Sequence, residues 1–265
     1  MKIDLQKLWE CELDILEHFD QFCRNNGLKY SLAYGTLLGA VRHGGFIPWD
    51  DDIDVIMPRK DYDYLVNNWD VKGYIVQNKR TNDDFNQNFT KIRKDHTAFI
   101  QFEFEKYTSY HKGIFIDIFP GDHVAPSKFQ RKIQFAFCAV NLLYSREGIV
   151  SRKLTLGEKA LLAIPRKWRL AIRNWSEIQV QRWNNCNTEY MFPSTIKDAK
   201  IYCDNSLFDR LIDIRFCGRT FKGTKDYDCF LHQQYGDYMV LPDEKERVYT
   251  HHPLFVSYDQ NYGEH

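Results

Sequence analysis

Apolar residues at the start of the chain recur every three or four positions, which is the spacing of one face of a helix. Between positions 4 and 26 they are Leu5, Leu8, Trp9, Leu13, Leu16, Phe19 and Phe22. Asp4 precedes them as a candidate N-cap, and Asn25-Asn26-Gly27 follows as a stop signal, because glycine readily adopts the left-handed conformation that ends helices. The pattern therefore predicts an amphipathic helix over 4–26.

A short apolar stretch over 30–33 predicts a strand, and Gly35 and Thr36 then open an apolar helical turn that runs to Arg42. This order places backbone amides and a hydroxyl at a helix N-terminus, an arrangement that binds anions. An ordinary turn containing glycine is the alternative. A loop rich in Gly and Pro over 43–48 leads to the next segment.

The segment that follows is acidic at first and apolar at its end. Strand alternation places Asp50, Asp52 and Asp54 on one face, while Ile53 and Val55 face a core. Two like charges 4 Å apart repel by about 4 kcal/mol at an effective dielectric near 20, so the cluster must be solvated, protonated or neutralised by cations. An acidic turn before a strand is one interpretation. The continuation in register into an apolar strand favours a metal site.

A second carboxylate of interest is Asp117, which lies inside the apolar run 113–120. A buried strand rarely carries a lone aspartate, because an unpaired buried charge is costly. Asp117 either accepts backbone hydrogen bonds in the core or lies on a strand beside Asp52 and Asp54. We prefer the second interpretation, in which these three aspartates form the catalytic and metal-binding set. Asp50 and Asp51 are then turn or supporting residues.

Further elements follow the acidic strand. Pro58 opens a helix of about ten residues, and alternating segments predict strands over 74–77, 89–94 and 98–104. Lys91 and Arg93 share one face of the middle strand, which suits contact with phosphate oxygens. Solvated strand charges are the alternative. Arg42 is a third candidate for a phosphate contact, or a surface residue.

Residues 126–185 carry twelve Lys and Arg against three Glu, a net charge of +9. Apolar spacing predicts helices there, with Pro165 starting or breaking one. Such a region either lies on an anionic membrane surface or forms a helical subdomain with a solvated basic face. Beyond it the pattern predicts a strand over 211–216 and a helix over 227–235. The pair at positions 251 and 252, His251-His252, lacks metal-ligand spacing and is predicted to belong to the tail.

The composition is that of a globular protein, with 43% hydrophobic and 27% charged residues. The formal net charge of zero argues against a general nucleic-acid binder. Seven scattered cysteines without a CxxC pair argue against a disulfide framework and a zinc finger. The sequence shows neither a signal peptide nor a stretch of about 20 apolar residues. We expect a cytoplasmic protein.

The motifs together resemble a known family. Gly35-Thr36 after a strand, Asp52 and Asp54 on the next, and Asp117 on a later one are similar to the nucleotidyltransferase pattern, with Thr36 where Ser is usual. The longer run from Tyr34 to Asp54 resembles the LicD family of phosphotransferases. The segments 117–120 and 235–239 also resemble motifs of that family.

The resemblance implies an α+β fold, in which a nucleotidyltransferase-like mixed sheet is flanked by helices and carries a basic helical insertion. We expect a catalytic core over 1–124, a basic helical subdomain over 125–188 and a mixed C-terminal part over 189–265 that packs on the core. Asp52, Asp54 and Asp117 would hold one or two Mg²⁺ ions, or Mn²⁺. Gly35, Thr36, Arg42, Lys91 and Arg93 would bind the phosphates of the donor.

The reaction that the resemblance implies is transfer of phosphocholine, or a similar alcohol phosphate, from a donor such as CDP-choline to a hydroxyl of a cell-surface glycan precursor. The acceptor would be of the teichoic acid or lipopolysaccharide type, and CMP would leave. The related fukutin-type enzymes are regarded as sugar-alcohol-phosphate transferases, so the resemblance does not determine which alcohol phosphate is transferred.

Two alternatives remain from the sequence. One is a nucleotidyltransferase that modifies a small molecule, and the other is a catalytically silent glycan-binding module. The expected partners are the CDP-activated donor and a lipid-linked glycan precursor, with contact to anionic membrane at its inner face through 126–185. No nucleic acid is expected.

Overall fold

A computed structural model describes residues 3–82, 85, 87–101, 110–145, 154–186, 188–193, 203–249 and 251–260. Within these ranges, helices and a mixed β-sheet enclose one large hydrophobic core, which contains for example Leu16, Leu37 and Ile116. A smaller apolar cluster contains Cys138, Val180 and Phe192.

The described helices are α1 (Leu5–Asn26), α2 (Tyr34–His43), α3 (Arg59–Asn68), α4 (Lys128–Ser145), α5 (Leu156–Leu162), α6 (Arg166–Gln181) and α7 (Tyr227–Tyr235). The described strands are β1 (Ser31–Leu32), β2 (Asp54–Pro58), β3 (Tyr74–Gln77), β4 (Thr90–Lys94), β5 (Ala98–Gln101), β6 (Phe115–His123), β7 (Tyr190–Pro193), β8 (Cys203–Asp204), β9 (Leu211–Phe216), β10 (Arg219–Thr224) and β11 (Pro253–Ser257).

The central sheet has the order β1-β2-β6-β4-β3, and β7 and β8 extend it from the end of β6. The pair β2–β6 is parallel, and the other pairs in the sheet are antiparallel. β6 is the central strand of the sheet, because its first half lies between β2 and β4 and its second half pairs with β7. Two smaller sheets join β9 to β10 and β5 to β11. The predicted α+β fold with a mixed sheet and flanking helices is confirmed.

The first helix forms as its sequence predicts. The Asp4 carboxylate caps it by accepting from the backbone N–H of Lys7, and Gly27 ends it in the left-handed region with a φ of 64°. Its apolar face is buried in the main core. One member of that face is polar: Glu12 is 1% exposed, between the turns that carry Leu8 and Leu16. A glutamate is rarely buried in this way unless it has a polar or charged partner, so such a partner is expected beside Glu12.

The acidic strand is shorter than predicted. The sequence suggests alternation from Asp50, but β2 begins at Asp54 and residues 50–53 are irregular. The physical reason is the extent of the neighbouring strands, because β6 pairs with β2 from Asp54 onward. Before that point other contacts hold the chain: the indole N–H of Trp9 donates to the carbonyl of Asp50, and the N–H of Asp117 donates to the carbonyl of Ile53.

The basic region is helical where it is described, and Pro165 stands at the N-cap of α6. Three of its basic residues lie outside the described residues: Arg146, Arg152 and Lys153. α6 is tied to the core by buried ion pairs, since Arg59 of α3 donates two hydrogen bonds to Asp122 of β6 and also approaches Glu177 of α6, which pairs with Lys79. Among the described helices, none combines the length and apolar character needed to cross a bilayer.

The end of the chain returns to the core. The β9–β10 hairpin packs beside β1, where the N–H of Thr224 donates to Oγ of Ser31. β11 pairs with β5, whose predicted span 98–104 is described only as far as Gln101. The sequence did not predict β7, β8 or β11. The limits of the three expected parts of the chain stay a prediction.

Candidate active site

The register of the central strands brings three aspartates together. Asp54 on β2 lies opposite Asp117 on its parallel neighbour β6, and Asp52 lies two residues before β2 begins. Carboxylate oxygens of Asp52, Asp54 and Asp117 all lie within 4.8 Å of one another. Adjacent strands are about 4.8 Å apart, so the β2–β6 pairing itself produces this cluster. The three side chains meet as expected, while their catalytic role stays a prediction.

The start of α2 supports the acidic segment. The Oγ1 atom of buried Thr36 accepts a hydrogen bond of 2.8 Å from the backbone N–H of Asp54. Gly35 approaches so closely that a Cβ atom there would lie 2.6 Å from Oδ2 of Asp50. Ala33, the N-cap of α2, gives no side-chain hydrogen bond to the first turn. The motif therefore positions the aspartates, and it also presents the amide end of a helix beside them.

Lys91 is part of the cluster. It stands opposite Asp117 on the antiparallel strand β4, and its Nζ donates to Oδ1 at 2.6 Å and to Oδ2 at 2.9 Å. The ammonium group also lies 3.3 Å from the centroid of the Phe115 ring. Lys91 is 2% exposed, and this burial lowers its pKa to about 8 against the opposing effect of Asp117. Lys91 is therefore a structural counter-charge of the site.

The other two predicted phosphate contacts have protein partners. Arg93 is buried, and its guanidinium donates to Oε1 of Gln77 at 2.6 Å and to the carbonyl of Gly113 at 2.7 Å. Arg42 is half-buried at the end of α2 and donates to the carbonyl of Tyr238. Arg42 thereby connects α2 to the C-terminal segment 235–239, and burial lowers its pKa.

The prediction that His251 belongs to the tail is wrong. Its backbone N–H donates to Oδ2 of Asp51 at 3.0 Å, and its Nδ1 lies 3.3 Å from Oδ1 of Asp51 and 3.9 Å from Oδ2 of Asp52. Burial alone would lower the pKa of His251, but the hydrogen bond of Asp51 and the charge of Asp52 outweigh it and raise the pKa. Asp51 therefore contacts this histidine through both of its carboxylate oxygens.

The crowded carboxyl groups disfavour one another's ionisation. Burial, followed by the charges of Asp52 and Asp51, raises the pKa of Asp50 to about 8. The pKa of Asp54 is held well above its usual range by burial and by the charges of Asp52 and Asp117. Glu12 reaches the same group from α1, and burial with the charges of Asp52, Asp51 and Asp50 raises its pKa strongly. Such a site gains stability when cations enter it.

Tyr235, the last residue of α7, is 44% exposed and lies near the aspartates of the site. Burial, followed by the charges of Asp54, Asp50 and Asp52, raises its pKa. The helix ends at Gly236, and the following residues reach back to Arg42. The C-terminal motif is therefore attached to α2 beside the acidic site.

Comparison with known proteins identifies the family. The model of the LicD/FKTN/FKRP nucleotidyltransferase domain matches residues 27–168, which is more than half of the chain. The lipopolysaccharide cholinephosphotransferase LicD of Haemophilus influenzae is 31% identical over 256 residues, which cover 91% of this chain and 92% of the relative. The chain belongs to the LicD family. Membership confirms the resemblance seen in the motifs.

Two shorter matches are to uncharacterized proteins of Rickettsia. The one from Rickettsia prowazekii is 36% identical over 69 residues, and the one from Rickettsia typhi is 32% identical over 69 residues. Each match spans 25% of this chain, and they cover 26% and 22% of the respective relatives. The LicD match, in contrast, extends over nearly the whole molecule. This LicD-family chain is therefore a transferase enzyme, and the interpretation as a silent binding module is set aside.

The donor set of this LicD-family site fits a divalent metal ion. Carboxylate oxygens are the hard ligands that Mg²⁺ and Mn²⁺ accept, and Asp52, Asp54 and Asp117 present them within one small volume. A second group that could hold an ion consists of Asp51, Asp52 and His251. Glu12 behind them has a buried Oε2 atom with no hydrogen-bond partner among the described residues. The acidic clusters could thus hold a metal ion.

Glu12 and His251 were missed by reasoning from the sequence. A signal for Glu12 was present, because it occupies a position on the apolar face of α1 where a buried hydrophobic residue is expected. His251 had no usable signal, because it is 200 residues from Asp51 in sequence. Only the pairing of β11 with β5 brings that histidine to the site.

Proposed function

We propose that this enzyme transfers phosphocholine, or a similar alcohol phosphate, from a CDP-activated donor to a hydroxyl of a cell-surface glycan precursor, releasing CMP. The observation that carries the proposal is the cluster of Asp52, Asp54 and Asp117 in a chain that aligns with a lipopolysaccharide cholinephosphotransferase over 91% of its length. An acceptor of the lipopolysaccharide type follows from that relative's name, and teichoic acid is the other acceptor class to test.

The three aspartates would hold one or two Mg²⁺ ions, with Mn²⁺ as the substitute. A divalent ion in such a site neutralises phosphate charge and polarises the phosphoryl oxygens. The protein's own part in phosphoryl transfer is positioning and electrostatic stabilisation. Thr36 holds the backbone of Asp54, and Lys91 holds both oxygens of Asp117. These contacts fix the backbone of Asp54 and the carboxylate of Asp117 in the protein without substrate.

The donor phosphates would lie at the N-terminus of α2. The N-cap of α2 gives no side-chain hydrogen bond to the first turn, and the absence of a Cβ atom at Gly35 lets the Asp50 carboxylate lie directly against the backbone there. Backbone N–H groups of Gly35 and Thr36 would donate to the pyrophosphate, as helix N-termini do for anions. Lys91, Arg93 and Arg42 would contribute positive charge from the neighbouring strand and the far end of α2.

The basic helices would face an anionic membrane, where a lipid-linked acceptor resides. α6 exposes two tryptophans two turns apart, Trp168 and Trp175, which are 62% and 52% exposed, and Ile178 beside them is 63% exposed. Arg166 and Lys167 at the start of the same helix are also exposed. Exposed Trp with basic residues on one helix suits the interface of a bilayer that carries anionic lipids.

We place the reaction in the cytoplasm, at the inner face of the membrane. A reducing compartment would keep the six described cysteines as free thiols. The catalytic core would then carry out the chemistry, and the basic helical subdomain would contact the membrane. The C-terminal part would close the site. The ion pair of Arg59 with Asp122 and the contact of Arg59 with Glu177 would couple the first two.

The test is mass spectrometry of products after incubation of the enzyme with a glycan acceptor pool, Mg²⁺ and, separately, CDP-choline, CDP-ribitol or CDP-glycerol. We expect CMP and a phosphoalcohol adduct on the glycan with one of these donors. A nucleotide adduct with released pyrophosphate, formed when nucleoside triphosphates are supplied, would instead favour a nucleotidyltransferase.

Asp54→Asn is the matched variant for this assay. It keeps the size of the side chain but removes the charge, so transfer should be abolished. Its melting temperature should stay within about 5 °C of the wild type or rise, because repulsion within the cluster is relieved. Normal transfer by pure Asp54→Asn would contradict the metal-site interpretation.

A further inference from the structure

The acidic site has a second side that the three central aspartates do not use. Ligand atoms of Asp51, Asp52 and His251 all lie within 4.8 Å of one another. Asp52 belongs both to this group and to the group with Asp54 and Asp117. The two groups therefore meet at one carboxylate, which has an oxygen for each side.

His251 is held in place by its surroundings. The strand β11 that follows it pairs with β5, and its ring packs edge-on against Phe99 and Phe115, with centroids 6.2 Å and 5.7 Å apart. Its backbone N–H donates to Oδ2 of Asp51, which is itself 1% exposed. The imidazole therefore faces the aspartates in a fixed direction, as a ligand must if it is to bind an ion without a large ordering cost.

An independent observation comes from α1. Glu12 is 1% exposed, and its Oε2 atom has no hydrogen-bond partner among the described residues. The charges of Asp52, Asp51 and Asp50 act on it, so this carboxyl group lies near the same aspartates. A buried polar atom without a partner is costly unless an ion or water satisfies it.

The excess of acidic groups in the cluster also favours a bound cation. Asp50, Asp51, Asp52, Asp54 and Asp117 are five acidic groups in close proximity, and two basic side chains pair with members of this cluster: Lys91 with Asp117, and His251 with Asp51. If His251 binds an ion as a neutral imidazole, it no longer supplies a positive charge to Asp51, and an ion held by Asp52, Asp54 and Asp117 lies on the other side of Asp52. A second cation beside Asp51 would supply that positive charge.

We propose that Asp51, Asp52 and His251 form a second divalent-cation site, which shares Asp52 with the site of Asp54 and Asp117. This inference rests on the metal-dependent activity proposed above and specifies that the activity uses two ions held partly by the C-terminal segment. A nitrogen ligand beside two carboxylates favours Mn²⁺ over Mg²⁺, since imidazole suits transition metals and Mg²⁺ prefers oxygen. The side chain of His251 then binds in its neutral form.

The experiment is a Mn²⁺ titration of the full chain without substrate, followed by calorimetry and by electron paramagnetic resonance of bound Mn²⁺. We expect two Mn²⁺ ions per wild-type chain and a signal broadened by coupling through Asp52. His251→Ala should bind one ion and lose the coupling. Asp117→Asn should also lose one ion, but from the other side, so the double variant should bind none tightly.

His252→Ala is the matched control, because His252 is the exposed neighbour of His251 and packs only loosely, with its ring 5.8 Å from that of Tyr249. It should bind two ions. If His251→Ala does not fold by circular dichroism, Asp51→Asn replaces it, since its amide oxygen still accepts from the N–H of His251.

One ion per wild-type chain, or two ions in folded His251→Ala or Asp51→Asn, would overturn the second site and leave His251 as an ion-pair partner of Asp51. Because the titration needs no donor or acceptor, its result is separate from that of the transfer assay. If the wild-type chain binds two ions but transfers no phosphoalcohol, the proposed function is wrong and the second cation site still stands.

Discussion

The buried pair of Lys91 and Asp117 offers a direct test of how the acidic site is held together. Lys91→Met keeps most of the length and apolar contact of the side chain and removes its charge. The Nζ atom lies 2.6 Å and 2.9 Å from the two oxygens of Asp117, and the side chains are 3% and 5% exposed. The substitution therefore leaves Asp117 buried beside Asp54 without its counter-charge.

The expected loss is large. Removing one partner of a buried ion pair typically costs about 3–5 kcal/mol, because the remaining charge is uncompensated. For a chain of this size the melting temperature changes by roughly 2 °C per kcal/mol, so the midpoint should fall by about 6–10 °C in metal-free buffer. Mg²⁺ should raise the midpoint of Lys91→Met more than that of the wild type, because a divalent cation replaces part of the missing charge.

The assay is differential scanning calorimetry with EDTA and then with Mg²⁺. Lys94→Met is the control on the same strand, since the pair of Lys94 with Asp14 has a similar distance of 2.7 Å but side chains that are 30% and 34% exposed. Exposed pairs contribute about 0–1 kcal/mol, so the control midpoint should move by no more than about 2 °C. Equal midpoints for the two variants would falsify the view that Lys91 is the counter-charge of the site.

Three further predictions concern other parts of the molecule. Thr36→Val should cost about 1–3 kcal/mol in urea unfolding and most of the transfer activity, because the N–H of Asp54 loses its acceptor; Thr36→Ser should behave like the wild type, and an active Thr36→Val would contradict this. Burial lowers the pKa of Lys79 to about 8, below its unfolded value near 10.5. The folded state therefore releases its proton first, and this group should add stability as pH rises from about 8 to 10.5; the difference between wild type and Lys79→Met in urea midpoints should change over that window, and a constant difference would refute it. Trp168→Ser combined with Trp175→Ser should abolish pelleting with anionic liposomes at low salt, whereas Tyr64→Ser, an exposed aromatic on α3, should not; equal pelleting of all three proteins would exclude α6 as the contact.

Local patterns determined much of this protein. The period of apolar residues and the caps at Asp4 and Gly27 define α1, because helix ends depend on residues close in sequence. Tyr227–Tyr235 is the helix predicted over 227–235, and Leu211–Phe216 is the strand predicted over 211–216. The family was also readable from the sequence, since its motifs combine spacing and residue type over a stretch too long to arise by chance.

The tertiary structure alone decided where the acidic segment becomes a strand. The sequence pattern predicts strand alternation from Asp50 onward. In the structure, β2 pairs with β6 only from Asp54 onward. The same pairing decides that Lys91 faces Asp117, while Arg93, two residues further on the same face, contacts Gln77 and Gly113. Strand alternation alone predicts the same role for Lys91 and Arg93, because both lie on one face of β4. The contacts of the two side chains in the folded protein differ, and they assign only Lys91 to the acidic cluster.

The same limit applies to His251. A contact between residues 200 positions apart has no local signature, because it depends on the register of β11 with β5. The sequence thus determined the helices, most strands, the family and the three aspartates. Strand register and the return of the C-terminal segment decided what surrounds those aspartates, since charge interactions depend on distances that only the packed chain sets.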